Sequence, residues 1–188
     1  FSLTPRVLVL GSGFLRGNQF GRLVQPLIEM CARELGYSVG LAMRDGTEAV
    51  YVAQSSQRNA RYTFGFTIGS RLPLLSTSIG RVLLAWGDPT WARAVIADQP
   101  LERYTAETVL DRDEIERRVA ESRVKGASVV KSEFEAGAVG VAVPVGPLDA
   151  AEAALGFSEP ISEIDPDDIP RLTEVLHRFA GQITAVLK

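Results

Sequence analysis

The sequence holds one cysteine, Cys31, and one histidine, His177. A single cysteine excludes an intrachain disulfide, and the pair leaves too few soft ligands for a zinc site of the usual Cys/His kind. A serine or cysteine hydrolase would also lack its base. His177 falls in Val175-Leu176-His177-Arg178-Phe179, inside an amphipathic terminal stretch, and reads as a surface or interfacial helix residue. Cys31, between Met30 and Ala32, reads as a small buried thiol. No apolar run approaches the ~20 residues of a spanning helix, and no charged, then apolar, then small leader is present. The chain is therefore expected to be cytoplasmic and free of membrane. Gly11 and Gly13 in GSGFLRG follow a proline-started helical pattern instead of a strand, so they form no dinucleotide loop, and no P-loop occurs. Neither a cofactor nor an enzymatic activity is expected.

What is present suits one packed domain: 46% apolar residues, 23% charged and a net charge of −3 exclude a disordered or fibrous chain. At 188 residues it can bury roughly 70% of its unfolded surface. The mean charge hides an asymmetry. No Asp or Glu occurs between Glu48 and Asp88, while Arg58, Arg61, Arg71 and Arg81 all fall in that gap. The gap is expected to carry positive potential unless acids from elsewhere in the fold pair with these arginines.

Thr4-Pro5 opens a first short helix, cap hydroxyl followed by proline. From Phe20 the positions Leu23, Val24, Leu27, Ile28, Met30, Cys31 and Leu35 keep helical spacing until Gly36. YSVGLAMRDG and TEAVYVAQ are two β-prone runs separated by Asp45-Gly46, a strong hairpin signal, and YTFGFTIG alternates as a third strand. Ser76 to Trp86 and Pro89 to Ala97 look helical, and Asp111 with Glu114 makes a capping box for a helix ending at Lys125-Gly126. Three more strands are expected in ASVVK, AVGVAVPVG and AALGFSE, the second of them a central strand covered on both faces because it has almost no polar side chain. Asp165-Pro166-Asp167-Asp168 caps a closing helix of about twenty residues. Hairpin-linked strands around a helical block indicate an α+β fold with a largely antiparallel sheet.

Two places could carry chemistry. Glu133 and Glu135 in KSEFEAG stand two apart, so in an extended segment both carboxylates could face one way; the alternative is a solvated turn ahead of Gly137. In GSRLPLLSTSIGRVLLA, a helix beginning at Ser76-Thr77-Ser78 has unpaired amides and a partial positive charge, with hydroxyls as further donors. Such an end can hold a carboxylate; the alternative is that the hydroxyls serve only as caps. Gly80 would let a ligand or a neighbouring backbone approach closely.

The phrase IGSRLPLLSTSIGRVLLA, followed in order by GASVVKSEFEAGAVGVAVPV and AALGFSEP, resembles the effector-binding domain of the IclR family of bacterial transcription regulators over essentially the whole chain. FSLTPRVLVLG resembles the stretch that joins this family's winged helix-turn-helix domain to its effector domain. With Phe1 in place of Met, the expectation is a linker helix over 1–18 from a missing N-terminal domain and an effector-binding domain over 19–188. The resemblance implies a GAF-like fold, a curved six-stranded antiparallel sheet flanked by helices, with a small organic or aromatic acid between the sheet and the helix that begins at Ser76-Thr77-Ser78. Carried over by position, the lining is Ser78, Ile79, Val130, Glu133, Gly140, Gly156 and Ser158. DNA would be contacted only through the missing domain, and a homodimer or tetramer is implied.

Several family members carry a cysteine at the position of Gly140 and an aspartate near Val130. Their absence here predicts a roomier, less polar pocket than one built for a two- or three-carbon acid. The wording GSRLP and TSIGRVLLA further resembles the β-ketoadipate pathway regulators, which sense aromatic acids such as protocatechuate or 4-hydroxybenzoate. The expected effector is thus an aromatic carboxylic acid. Its carboxylate would meet the helix start at Thr77 and Ser78, with Arg61 or Arg71, and its ring would lie against Phe157, with Phe64, Phe66 and Phe134 as further aromatic wall. Arg71 could instead pair with Glu133. The competing functions are an enzyme acting on a small organic acid and a ligand-free GAF-like dimerisation module.

Overall fold

The computed structural model describes residues 20–55, 66–147 and 151–187. The helix expected over 1–18, and Arg58, Arg61 and Phe64, lie outside the described residues. A π-helical turn over Phe20–Val24 runs into α1 (Gln25–Leu35), which stops where Gly36 takes the left-handed conformation. β1 (Gly40–Asp45) and β2 (Glu48–Gln54) form the expected hairpin. Asp45 pairs with Glu48, leaving a two-residue turn in which Gly46 adopts φ 62°.

β3 (Arg71–Pro73) pairs antiparallel with β2. It lies beyond the run expected to form the third strand: Ser70 N–H bonds back to the Thr67 carbonyl and Gly69 sits at φ 90°, so the described end of that run is a turn. Then come α2 (Ser78–Trp86), α3 (Pro89–Asp98) and α4 (Arg112–Lys125). The Asp111 side chain caps α4 by accepting from Glu114 N–H, and left-handed Gly126 ends it. β4 (Ser128–Lys131), β5 (Ala138–Val145) and β6 (Ala153–Pro160) follow, and after two short 3-10 turns α5 (Ile169–Val186) closes the chain.

The six strands make one antiparallel sheet in the order β3-β2-β1-β6-β5-β4, the α+β architecture expected. Its two faces are packed by different helices. Along β5, Val139, Val141, Val143 and Val145 point into a core shared with α1 and α5, where Ile28, Cys31, Leu172 and Leu176 are fully buried. The alternate residues face α2, α3 and α4, in a core of Ile79, Val82, Leu83, Trp86, Val95 and Ile115. β5 is thus covered on both sides, although β1 and β6 are the middle strands.

Small residues set how closely α2 lies on its face. Ala42 pairs with Ala154 and Gly40 with Gly156, and Gly156 also pairs with Ala142. Gly80 of α2 lies against the chain just before the helix: a Cβ there would stand 2.3 Å from Leu74 Cα. The close approach allowed by Gly80 is therefore one of neighbouring backbone. Among the described residues no helix is long and apolar enough to cross a membrane.

Candidate ligand-binding site

The start of α2 is built by its cap. Thr77 is extended, with φ −118° and ψ 152°; its hydroxyl accepts from Gly80 N–H at 3.0 Å and donates to the Pro73 carbonyl at 2.7 Å. Arg81 N–H reaches the Thr77 carbonyl. Of the four amides that open a helix, those of Ser78 and Ile79 make no hydrogen bond within the described residues. Two hydroxyls beside them are also uncommitted. Ser76 Oγ is buried without a partner, and Ser78, 6% exposed, makes no side-chain bond among the described residues. Together these give a small cluster of donors at the positive end of α2.

The cluster opens on a cavity between α2 and the sheet, about 450 Å³ of non-atom space including its mouth to solvent. Its wall contains Thr77, Ser78 and Ile79 from α2 and its cap, Val130 at the end of β4, Glu133, Gly140 of β5, and Phe157 and Ser158 of β6. These expected residues are brought together. The aromatic part of the wall is Tyr51, Phe66 and Phe134, whose rings follow one another at 6.0 Å spacing, with Tyr104 set edge-on to Phe134 at 4.9 Å.

Several expected residues take other roles. Arg71 is outside the cavity wall; its exposed guanidinium bonds Asp45 at 2.6 Å and Glu48 at 2.7 Å, so it does not pair with Glu133. Gly156 is packed between strands, where a Cβ would lie 2.5 Å from the Val141 carbonyl oxygen, and it does not line the cavity. The Phe157 ring belongs to the opposite core, stacked on Tyr37 at 5.3 Å, because strand alternation turns it away from α2. Its carbonyl oxygen is what comes near the cavity, 3.7 Å from where a Gly140 Cβ would sit. The space over Gly140 is already used: that Cβ would stand 2.7 Å from Ser78 Oγ. Hydroxyls of Ser76, Thr77, Ser78, Ser132 and Ser158 and the side chains of Glu133 and Glu135 also contribute to the wall.

Glu133 and Glu135 are not a working carboxylate pair. Ser132 ends β4 in the left-handed region at φ 57°, its N–H held by the Ala138 carbonyl and its hydroxyl accepting from Gly137 N–H. The Thr108 hydroxyl donates to the Glu133 carbonyl at 2.7 Å, anchoring this turn to the α3–α4 loop. The Glu133 carboxylate, 2% exposed, then accepts both arms of the Arg81 fork at 2.8 and 2.6 Å, and a third bond from Arg118 at 2.9 Å. Arg81 Nε completes its own set on the Leu75 carbonyl. Glu133 therefore lines the cavity without plugging the amide cluster. Both described arginines of the acid-free stretch are paired with acids from outside it.

Sequence reasoning missed Arg81, Tyr51 and Glu135 as parts of this site. A lone arginine in the otherwise apolar SIGRVLLAW was the available signal for the first. His177 lies on α5 with part of its surface exposed and takes no part in the cavity wall; partial burial of the imidazole lowers its pKa, opposed by a hydrogen bond with the Gly126 backbone. Cys31 is fully buried, as expected. No cluster among the described residues could hold a metal ion.

The family described as "Bacterial transcriptional regulator IclR C-terminal" matches residues 15–185. The Pca regulon regulatory protein of Pseudomonas putida is 30% identical over 172 residues, covering 90% of this chain and 58% of that protein. The chain thus spans somewhat over half the length of that relative. A transcriptional regulator structure from Rhodococcus sp. RHA1 superimposes with a TM-score of 0.88 at 34% identity, covering 100% of this chain and 77% of the other. An IclR homologue from Microbacterium hydrocarbonoxydans, solved in complex with 4-hydroxybenzoate, superimposes with a TM-score of 0.79 at 27% identity over 92% of this chain and 71% of that one.

Proposed function

Since the chain belongs to the IclR family of bacterial transcriptional regulators, as the effector-binding domain, we propose that it senses an aromatic carboxylic acid in the cavity beneath α2. The observation that carries this reading is the junction of unbonded amides at Ser78 and Ile79 with the aromatic wall of Phe66 and Phe134. A carboxylate at the helix end would be met by N–H donors and the positive end of the helix dipole. A ring placed against the aromatic wall would gain burial and edge or stacking contacts. The bound 4-hydroxybenzoate of the Microbacterium relative supports the same ligand class.

In this reading DNA is contacted by a winged helix-turn-helix domain of a longer protein, preceding a linker helix over 1–18, and the assembly is a homodimer or tetramer. The effector acts by binding one subunit arrangement better than another; a ligand without such a difference would shift nothing. Calorimetry with benzoate, 3- and 4-hydroxybenzoate and protocatechuate against glyoxylate and pyruvate tests the proposal. Heat from aromatic acids alone is expected, and heat only from the two short acids would reject it. A ligand at 100 times its dissociation constant should also stabilise the fold by about 2.7 kcal/mol, and no shift with any acid would leave a ligand-free dimerisation module as the better description.

A further inference from the structure

The cavity has a second polar region, separate in sequence from the α2 end. Tyr51 comes from β2 and Glu135 from the turn that leads into β5, and both line the wall. Tyr51 is 8% exposed, and its ring is pressed against β1, where a Cβ on Gly40 would lie only 2.4 Å from Cε1. Neither the Tyr51 hydroxyl nor the Glu135 carboxylate has a hydrogen-bond partner among the described residues. Burial raises the pKa of the Tyr51 phenol, and the charge of Glu135 on the same cavity wall raises it further, which keeps the hydroxyl neutral. Burial also raises the pKa of Glu135. Its neighbour Glu133 differs sharply, because three arginine N–H bonds satisfy it.

A half-buried carboxylate with no donor is costly to keep unless a ligand supplies one. It also repels a second carboxylate, so it orients an aromatic acid with its own carboxylate directed away from Glu135, to the unbonded N–H donors of the α2 start at Ser78 and Ile79. We propose that Glu135 and Tyr51 are specificity residues that recognise a ring hydroxyl of the effector, so that the sensor takes hydroxylated aromatic acids and discriminates against the unsubstituted ring. This deepens the aromatic-acid reading and rests on it. The ring O–H donates to the Glu135 carboxylate, and the Tyr51 O–H donates to that same ring oxygen.

The experiment is isothermal titration of the 188-residue chain with benzoate, 4-fluorobenzoate, and 3- and 4-hydroxybenzoate. Fluorine fills the position without being able to donate. Whichever hydroxybenzoate binds more tightly should exceed benzoate and its fluoro analogue by roughly 10- to 100-fold, the worth of a hydrogen bond to a charged group. Glu135→Gln should shrink that ratio to about 3-fold or less while leaving benzoate within about 2-fold, and Tyr51→Phe should shrink it in part. The ligand series on the unaltered chain decides the matter even if a variant fails to fold. Equal binding of benzoate and the hydroxybenzoates would overturn the ring-hydroxyl inference and leave the aromatic-acid reading standing. Binding of glyoxylate or pyruvate with no aromatic acid bound would overturn both.

Discussion

Replacing Arg81 by methionine keeps most of the side-chain volume and removes the charge that holds Glu133. The carboxylate would remain 2% exposed and lose two of its three bonds, keeping only Arg118 Nη1 at 2.9 Å. The Leu75 carbonyl would lose its bond from Arg81 Nε as well. Breaking one side of a buried ion pair costs about 3–5 kcal/mol, because the remaining charge is stranded in a poor solvent for it. Arg118 still neutralises part of Glu133, so the expected loss is near the lower end, about 3 kcal/mol. Against a typical domain stability of about 5–15 kcal/mol that loss is large and measurable. Urea unfolding followed by the fluorescence of Trp86, buried in α2, would show it as a lowered midpoint. The companion variant Arg81→Met/Glu133→Leu removes both charges and should recover most of the loss, since the pair's net worth is small compared with the cost of breaking it. A loss below about 1 kcal/mol in the single variant, or a double variant no better than the single, would refute the claim that this pair is a desolvated anchor.

Thr77→Ala removes the cap that accepts from Gly80 N–H and donates to the Pro73 carbonyl; a destabilisation of about 1–2 kcal/mol by thermal unfolding is expected, with weaker ligand binding as the α2 end loosens. Glu159 is buried in the α1/α5 side of β6, and burial pushes its pKa up to about 7, opposed by a hydrogen bond from the Ser38 amide. The folded state therefore holds this proton more tightly than the unfolded one, and stability falls as pH rises from about 4.5 through about 7. Glu159→Gln should be more stable than the parent by about 1–3 kcal/mol at pH 8 and equal to it near pH 4.5; the same difference at both pH values would contradict the assignment. Cys31 is fully buried and burial pushes its thiol up to about 12, so a thiol reagent such as dithionitrobenzoate should label it only after unfolding, and rapid labelling of the native chain would be the contrary result.

Much of the fold was legible because its signals are local. Asp45-Gly46 gives the hairpin, Asp111 and Glu114 give the start of α4, Gly36 and Gly126 give helix ends, and the apolar run of β5 gives a strand covered twice. Each depends on residues no more than a few positions apart. The described end of the expected third strand departs from it for a local reason too: Gly69 turns the chain, and the pairing with β2 is made by Arg71–Pro73.

The site was legible in part: of the expected side chains, Phe66, Val130, Glu133 and Phe134 line the cavity, while those of Arg71 and Phe157 lie elsewhere. Ser78, Ile79 and Gly140 come to the cavity because a helix start and a strand register put them there. Side chains are decided by contacts across long separations, and there alternation and charge balance point the wrong way as easily as the right one. Phe157 looks like an aromatic wall residue until the register with Val141 turns its ring to the other core. Arg71 and Arg81 look equally free in the sequence, ten residues apart in a stretch without acids. The hairpin brings Asp45 and Glu48 to Arg71 at the surface, while the left-handed Ser132 swings Glu133 to Arg81 in the interior, 52 residues along the chain. That same turn leaves Glu135 without an arginine among the described residues. The two carboxylates of SEFEAG are thereby separated in function by one residue: one holds α2 and α4 to the sheet, and the other lines the cavity without a donor among the described residues.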